Sequence, residues 1–469
     1  MWHHAYPAWL EWLRLLKKDS GVASRDQFCR CYFEETVKRI LLISYYFPPS
    51  GGSGVQRILK FARYLPSYGW LPTVLTVDPK FAAFPSTDES LIQEIPREVK
   101  VIRTRAWDPF SLYGRVQGKK KVDVVVVGHV GGKSGFKRFA RWLRGNIFLP
   151  DARIGWFPFA SRVVRKLVQE QKFDAIMSTG PPHSSHLVGM AAHKASNLPW
   201  VVDMRDPWAE IYYRDHMYEG RIASKIQSTL EHKVLSTASA VVSVSEHWGM
   251  GLKRRVNIQH YETIPNGFDP ADMSPNQATQ SRKEDAFTLA YIGTYNLRRH
   301  SSALVGALQQ LQATTPVEVH LVGKVVNLEA MEAYHAGGIP VKGLGYLPHD
   351  EAVAYMQSVD VLLLALPRIQ DHSSSGVVPG KAFEYMSARR PILALGPTEG
   401  DLADILNQVH AGNIFDYEDQ VGMFNFLKNC MESRGDAWPI NDEALAEYER
   451  PRLTGRLAQL LNQLSKSDS

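Results

Sequence analysis

The sequence is poor in cysteine and has no long apolar run. Its 469 residues contain three cysteines, Cys29, Cys31 and Cys430, whose spacing matches neither a zinc site nor a disulfide framework. A reducing compartment is therefore expected. No stretch approaches the roughly twenty apolar residues of a membrane-spanning helix, and residues 2–18 lack the apolar core and cleavage site of a signal peptide. We expect a cytoplasmic protein.

Several catalytic signatures are also missing. No His/Cys cluster has metal-ligand spacing and no carboxylate pair stands beside an obvious phosphate loop, so no metal site is predicted. The Gly-x-Ser-x-Gly elbow is absent, which argues against a Ser/His/Asp hydrolase. Gly323-Lys324 lacks the Ser or Thr and the upstream glycine of a P-loop, which argues against an NTPase.

The composition is that of a soluble globular protein, with 44% apolar and 22% charged residues. The length exceeds one ordinary core, so two or three domains are expected. The formal charge of +6 suits an anionic ligand or a membrane surface. It does not by itself indicate nucleic acid, and no nucleic-acid partner is predicted.

Apolar runs of strand length alternate with helical segments from Lys38 onward. Such alternation predicts parallel sheets with helices on both faces, and therefore two doubly wound, Rossmann-like α/β domains in tandem. The predicted strands lie at 38–44, 70–77, 99–105, 173–178, 199–203, 238–245 and 261–267, and then at 287–293, 317–323, 341–345, 359–366, 391–395 and 413–415.

A polar, breaker-rich stretch separates the two series of strands and sets the predicted domain boundaries. These are an N-terminal extension (1–37), a first Rossmann-like domain (38–270), a linker (271–285), a second Rossmann-like domain (286–445) and a closing helix with a tail (446–469). Within the extension, residues 8–18 would form a short amphipathic helix. A disordered extension and a misplaced start codon are the alternatives.

The loop from His372 to Gly380 is a candidate ligand site. Its small residues let backbone N–H groups approach a ligand, and the helix that begins near Lys381 favours an anion. Lys381 and Glu384 lie three residues apart on one face of that helix. A cation for phosphate and a carboxylate for sugar hydroxyls fit this arrangement. An ordinary crossover between strands, with both side chains solvated, is the alternative.

Other unusual residues collect where predicted strands end, at the edges that would border a cleft between the two sheets. The cations and loop amides of the second domain predict that it holds a diphosphate. His183 as a structural loop histidine, and Arg205 and Asp206 as a helix-capping pair, are the alternatives. The first domain contributes Gly51, Gly52, His183, Arg205, Asp206 and Asn266, and the second contributes Thr294, Arg298, Arg299, Lys324, Lys381 and Glu384.

The glycine-rich turn after the first strand resembles a dinucleotide fingerprint only weakly. Gly52 and Gly54 fit the pattern, but Arg57 stands at the position of its third glycine and two prolines precede the loop. Close approach of the backbone to a phosphate or a sugar is predicted here, rather than NAD binding.

Residues 135–144 predict a basic amphipathic helix. Its apolar side chains fall on one face and its basic side chains cover the rest: Phe136, Phe139, Trp142 and Leu143 against Lys137, Arg138, Arg141 and Arg144. Such a helix fits an anionic membrane surface, and a peripheral membrane contact is predicted through residues 135–148. Packing of the aromatic face into a protein core is the alternative.

Five segments are recognisable as an ordered set: Tyr45-Tyr-Phe-Pro-Pro-Ser-Gly-Gly52, Asp203-Met-Arg-Asp-Pro-Trp208, Ile264-Pro-Asn-Gly267, Tyr291-Ile-Gly-Thr294 and Pro379-Gly-Lys-Ala-Phe-Glu-Tyr-Met386. Together they resemble the retaining glycosyltransferases of family 4, which have the GT-B fold, over about Lys38 to Leu464. The Arg-Asp-x-Trp segment looks like that of bacterial surface-polysaccharide enzymes. The resemblance implies sugar transfer from a nucleotide-diphosphate donor to a glycan or lipid-linked acceptor, with retention and without a metal or other cofactor.

The resemblance also implies roles for site residues on the second domain. Glu384 matches the second glutamate of the family's paired motif, which binds ribose hydroxyls. The first glutamate is replaced by Gly376, and the backbone amides of Gly376, Val377 and Val378 are expected to contact the sugar or the diphosphate. Gly345, Tyr346 and Leu347 match the loop that packs on the base.

The phosphate-binding cations of the family are only partly present. Thr294 stands at the position of the arginine, Arg298 or Arg299 stands near the lysine, and Lys381 would supply the missing charge. Arg205 aligns with the family's active-site histidine, so His183 or Asp206 is expected to take its part.

The mechanism that the resemblance implies is front-face displacement. Arg299, Lys381 and loop amides would stabilise the leaving diphosphate, and closure of the domains would exclude water and align the acceptor. The changes at Gly376 and Thr294 raise a second hypothesis, a catalytically weak nucleotide-sugar-binding partner of another transferase. A GT-B epimerase is a third, disfavoured because no acid/base carboxylates can be placed in the cleft.

Overall fold

The computed structural model describes residues 37–82, 84, 86–107, 135–210, 218–273, 286–323, 328–368 and 372–467. Most of the predicted extension and linker therefore lies outside the described residues, as does Lys324. The chain divides into two units, residues 1–38 and 39–469. The second unit contains both sheets, and the predicted domain boundaries within it stay predictions.

The first sheet has seven strands in the order β3-β2-β1-β4-β5-β6-β7, and its paired strands run parallel. Its central strands β4 to β6 are buried along their whole length, as expected for strands covered by helices on both faces. The strands are β1 (Lys38–Ile43), β2 (Trp70–Val77), β3 (Lys100–Thr104), β4 (Ala175–Gly180), β5 (Trp200–Met204), β6 (Ala240–Ser243) and β7 (Tyr261–Thr263). The described helices are α1 (Ser53–Tyr64), α2 (Gly135–Asn146), α3 (Phe157–Glu170), α4 (Ser184–Ser196), α5 (Arg221–Thr237) and α6 (Glu246–Arg255).

The second sheet has six parallel strands in the order β10-β9-β8-β11-β12-β13. In both sheets the first strand lies inside, and the winding reverses beside it. The two predicted doubly wound domains are confirmed. The strands are β8 (Phe287–Ile292), β9 (Val317–Val322), β10 (Val341–Gly345), β11 (Val361–Ala365), β12 (Ile392–Leu395) and β13 (Gly412–Phe415). The described helices are α7 (Ser302–Gln312), α8 (Leu328–Ala336), α9 (His349–Ser358), α10 (Gly380–Ser387), α11 (Asp401–Val409), α12 (Gln420–Glu432), α13 (Asp442–Ala446) and α14 (Arg450–Ser467).

Helix α14 returns to the first domain after the second sheet is complete. It lies against α1, and its buried leucines Leu453, Leu457 and Leu461 share a core cluster with Ile58 and Leu59. Each fully buried leucine contributes about 1.5–3 kcal/mol relative to exposure. The last helix therefore belongs energetically to the first domain.

Some predicted element ends were wrong for identifiable reasons. The sequence pattern predicts one helix from Val55 to Tyr68, but the α-helix ends at Tyr64 and continues as a 3-10 turn at Leu65–Tyr68, because Pro66 cannot donate a helical hydrogen bond. The strand predicted to run to Ser245 ends at Ser243. The Ser245 hydroxyl instead accepts a hydrogen bond from the Trp248 amide and caps α6.

No helix within the described ranges is long and apolar enough to cross a membrane.

Replacing Leu457 by alanine tests the attachment of α14. We expect the free energy of unfolding to fall by about 2–4 kcal/mol, because the substitution leaves a cavity against α1. Gln459→Ala is the matched control, since this neighbouring side chain is exposed. Equal urea-unfolding midpoints for the two variants would show that the packing of α14 contributes little.

Candidate functional site

A buried ion pair fixes the carboxyl edge of the first sheet. Asp203, at the end of β5, is fully buried and accepts a hydrogen bond from the Arg57 guanidinium at 2.8 Å and one from Thr179 Oγ1 at 2.7 Å. Arg57 also donates to the Pro265 carbonyl at 2.8 Å. Burial alone would raise the pKa of Asp203, but the adjacent Arg57 overcomes it and holds the pKa low. This pair links α1, β4, β5 and the loop after β7.

Arg205 holds three neighbouring loops together. Its guanidinium donates to the carbonyl of Gly54 at 2.7 Å, to that of Gly180 at 3.3 Å and to that of Pro181. A Cβ atom at position 54 would lie 2.9 Å from the guanidinium, so a larger residue there would make the Arg205 side chain shift. These hydrogen bonds give Arg205 a structural role. Its catalytic role stays a prediction.

His183 and Asp206 lie at the same edge. His183 is buried, directly precedes α4 and stacks on Trp208, with ring centroids 4.7 Å apart and an interplanar angle of 6°. Burial raises the pKa of Asp206 to about 6, although the Arg205 charge opposes the shift. The structure therefore gathers the three predicted catalytic residues, but stacking restricts how the His183 ring can move.

The carboxyl edge of the second sheet is lined by glycines in left-handed backbone conformations. Gly293 follows β8 with φ of +132°, Gly323 follows β9 with φ of +112°, and Gly345 ends β10 with φ of +70°. A Cβ atom on Gly323 would lie 2.8 Å from the Gly293 carbonyl oxygen. Three adjacent strands thus end without side chains, which lets a ligand approach the backbone. Gly293 and Gly323 were not predicted as site residues, although each directly follows an apolar run.

Two cations, Lys381 and Arg299, lie at the same edge of the second sheet as these glycines. Lys381 Nζ donates to Tyr291 OH at 2.7 Å and to the Ile292 carbonyl at 3.2 Å, and a Cβ on Gly293 would lie 3.0 Å from it. Burial lowers the pKa of Lys381 to about 7, the Arg299 charge adds to the shift, and Glu384 opposes it. Arg299 is held by a 3.2 Å bond to the Ala365 carbonyl. Two neighbouring cations at a helix start are an arrangement that suits an anion, and the predicted diphosphate contacts of Lys381 and Arg299 stay predictions.

The remaining predicted donor-binding residues surround this point. Thr294 and Arg298 are exposed in the loop after β8. Tyr346 is 79% exposed beyond β10 and Leu347 is partly buried, so the phenol ring is open to a ligand. The predicted contacts of these residues with diphosphate and base stay predictions.

Gly376 is buried against the first domain. A Cβ atom there would lie 2.3 Å from Trp248 Cδ1 and 2.7 Å from Ser245 Oγ. Asp401 extends this contact between domains by accepting a 3.2 Å bond from the His247 amide. Position 376 therefore has no room for a side chain, which sequence reasoning could not show. The Val377 amide, one of the three predicted donors to the ligand, instead donates to the Ser374 carbonyl at 3.1 Å.

The fold defined by these two facing sheets is shared with solved GT-B glycosyltransferases. HepE of Anabaena, solved with UDP, has a TM-score of 0.59 at 16% identity, over 91% of this chain and 100% of that chain. Sucrose-phosphate synthase of Thermosynechococcus elongatus has a TM-score of 0.55 at 15% identity, over 92% and 97%. Trehalose 6-phosphate synthase of Burkholderia multivorans has a TM-score of 0.57 at 10% identity, over 92% of this chain and 98% of that chain. The predicted GT-B fold is confirmed.

Sequence comparison adds a domain family. Residues 52–267 match the family model of the glycosyl transferase 4-like domain. No curated protein sequence matches the chain.

The packing of Gly376 can be tested by adding a methyl group. Gly376→Ala should lower the free energy of unfolding by about 1–3 kcal/mol, because Trp248 must move. Gly380→Ala is the control, since nothing lies within 4 Å of a Cβ there. If thermal unfolding shows the same stability for both variants, the contact between Gly376 and Trp248 is not tight.

Proposed function

We propose that the protein transfers a sugar from a nucleotide-diphosphate donor to an acceptor hydroxyl. The observation that carries this proposal is the pairing of Lys381 with Arg299 beside the glycine-lined edge of the second sheet. The glycosyl transferase 4-like domain supports it. So do similar structures, since HepE was solved with UDP and with UDP-glucose.

The donor is assigned to the second domain. Lys381, Arg299 and the amino end of α10 bind the diphosphate, Glu384 accepts hydrogen bonds from the ribose, and the loop of Gly345 to Leu347 contacts the base. The first-domain edge with His183, Arg205 and Asp206 faces the acceptor.

The chemistry follows from where charge develops. As the glycosidic bond of the donor breaks, negative charge grows on the diphosphate, and Lys381 and Arg299 are already in place to stabilise it. The acceptor hydroxyl attacks from the face of the departing diphosphate, so that the configuration at the sugar is retained. No metal or other cofactor is required in this scheme, because the two cations take the place of a metal.

The acceptor is proposed to be lipid-linked, as in surface-polysaccharide synthesis at the inner face of the membrane. Support comes from a basic, partly apolar surface formed by α2 and the start of α5. Trp142 is 43% and Ile222 is 80% exposed, and Arg138 and Arg141 lie over the Tyr218 ring at 5.7 and 5.5 Å. Asn146 joins the two segments by bonds to Tyr218 and Gly220. Exposed apolar groups among cations suit an anionic bilayer.

A catalytically weak nucleotide-sugar-binding partner is the second candidate, and Gly376 favours it. The packing against Trp248 leaves no carboxylate at the position that would hold the donor sugar. Incubation with a panel of nucleotide sugars and lipid-linked acceptors separates the two candidates. Release of nucleoside diphosphate supports the enzyme, whereas donor binding without release in every combination supports the partner.

Substituting Lys381 tests the diphosphate site. Lys381→Met should weaken UDP binding about tenfold to a hundredfold in calorimetry, the effect of losing a hydrogen bond from a charged group. Lys428→Met, at an exposed position of α12, is the control. Equal UDP affinities of the two variants would show that Lys381 does not bind the diphosphate.

The pKa of Lys381 gives this site a pH signature. In the free protein the amine loses its proton near pH 7, and a bound diphosphate favours the charged form. UDP binding should therefore take up a proton above pH 7, and the affinity should fall as the pH rises further. Binding heats in buffers of different ionisation enthalpy measure this uptake. Proton uptake of the same size in Lys381→Met would assign the effect to another group.

The membrane proposal predicts a loss of vesicle binding. The double substitution Trp142→Ser and Ile222→Ser should weaken co-sedimentation with phosphatidylglycerol vesicles about tenfold or more, because two apolar side chains no longer enter the interface. Met250→Ser removes an exposed apolar side chain from α6 and should change nothing. Wild-type binding by the folded double variant would refute the surface.

A further inference from the structure

The two chain crossings between the domains lie side by side. The Phe268 amide donates to the Tyr448 carbonyl at 3.1 Å, and the Arg450 amide donates to the Phe268 carbonyl at 2.8 Å. Phe268 packs with the core of the second domain, whereas α14, which begins at Arg450, packs on the first. Arg450 therefore lies where the chain crosses between the domains, a point that we call the hinge.

Arg450 is an unusual cation. Arg450 is only 6% exposed, and its Nη1 atom is buried without a hydrogen-bond partner among the described residues. Buried charges in proteins are nearly always paired, because desolvation is expensive. The position of this guanidinium needs an explanation.

Of the carboxylates near Arg450, one is a candidate for its acidic partner. Asp203, Asp269 and Glu384 act on its charge, together with the like charge of Arg57. Asp203 is already paired with Arg57 at 2.8 Å, and Asp269 with Lys60 at 2.8 Å. The carboxylate of Glu384 makes no hydrogen bond or ion pair with the described part of the chain. The helix of Glu384 also packs on the segment that leads to Arg450, since the ring centroids of Phe383 and Tyr448 are 5.1 Å apart. Glu384 and Arg450 are thus complementary charges on adjoining elements.

Glu384 is faced by charges from several elements. These are His349 on α9, Arg450 on α14, Asp272 in the turn at Pro270–Met273, and Lys381 on its own helix. Burial raises the pKa of Glu384, and His349 and Arg450 oppose that shift most strongly. His349 also pairs with Asp272 at 3.7 Å, which leaves Arg450 as the permanent cation without another acidic partner.

We propose that Arg450 is a positioning residue for Glu384. Its positive charge keeps the Glu384 carboxylate ionised, so that Glu384 can accept hydrogen bonds from the ribose of the donor. Because Arg450 begins the segment that returns to the first domain, it ties nucleotide binding to the hinge. The ribose contact rests on the proposed function, whereas the coupling of Arg450 to Glu384 does not.

Calorimetric titration with UDP from pH 5.5 to 8.5 tests the proposal. Arg450→Met should weaken binding about tenfold at neutral pH, through a weakened hydrogen bond to a charged group. Glu384 then holds its proton to higher pH, so the affinity is lost at a higher pH as the solution is acidified. Arg450→Lys should restore most of the affinity.

A second pair of variants separates positioning from a merely structural role. In a Glu384→Gln background, Arg450→Met should cause little further loss, because the carboxylate that it serves is gone. A loss of the same size in both backgrounds would overturn the proposal. So would wild-type affinity of the folded Arg450→Met variant at every pH.

A measurement without nucleotide makes the two failures distinguishable. Carbon-13 NMR of protein labelled at glutamate carboxyl groups follows the titration of Glu384, which the Glu384→Gln spectrum assigns. Arg450→Met should raise the Glu384 pKa, and an unchanged titration overturns the proposal. A raised pKa in a protein whose wild type binds no UDP overturns only the ribose contact. If Arg450→Met does not fold, Arg450→Lys replaces it, with a smaller shift expected in the same direction.

Discussion

The buried pair of Arg57 and Asp203 is the interaction on which the first domain's half of the site depends. One guanidinium joins the helix after β1, the end of β5 and the Pro265 carbonyl after β7, and Thr179 adds β4. Removing one partner of such a pair leaves an uncompensated buried charge, which typically costs about 3–5 kcal/mol. The loops that carry His183, Arg205 and Asp206 are therefore supported by an ion pair that is itself fully buried.

The proposed site on the second domain is built differently. Its site is made by leaving side chains out at Gly293, Gly323 and Gly345, and by holding Lys381 near Arg299 against their mutual repulsion. The hydrogen bonds of Lys381 to Tyr291 and to the Ile292 carbonyl offset part of this cost. Under the proposed function, two cations held in place before binding favour the anionic diphosphate, since their geometry is arranged in advance.

The sequence predicts the sheets well because strands covered by helices on both faces must be nearly continuous apolar runs. It predicts Lys381 and Glu384 as a pair because their spacing on a helix is local information. Contacts between distant segments are different. The sequence showed Arg57 only as a misfit in a glycine pattern, and its partner Asp203 became apparent only through the pairing of strands. No local pattern in the sequence marks Arg450, because its significance depends on carboxylates from distant segments that the fold brings near it.

The same distinction bears on Gly376. In the sequence, this glycine replaces the first glutamate of the family's paired motif, which suggests a weakened enzyme. In the folded protein it is the point where the second domain meets Ser245 and Trp248, beside the bond from the His247 amide to Asp401. A glutamate at this position would have to displace the Trp248 ring, so the contact and the carboxylate compete for the same space. A donor sugar bound in this cleft would have to find its hydrogen-bond partners elsewhere, and the polar edge of the first domain, with Asp206 partly buried there, is where such partners are available.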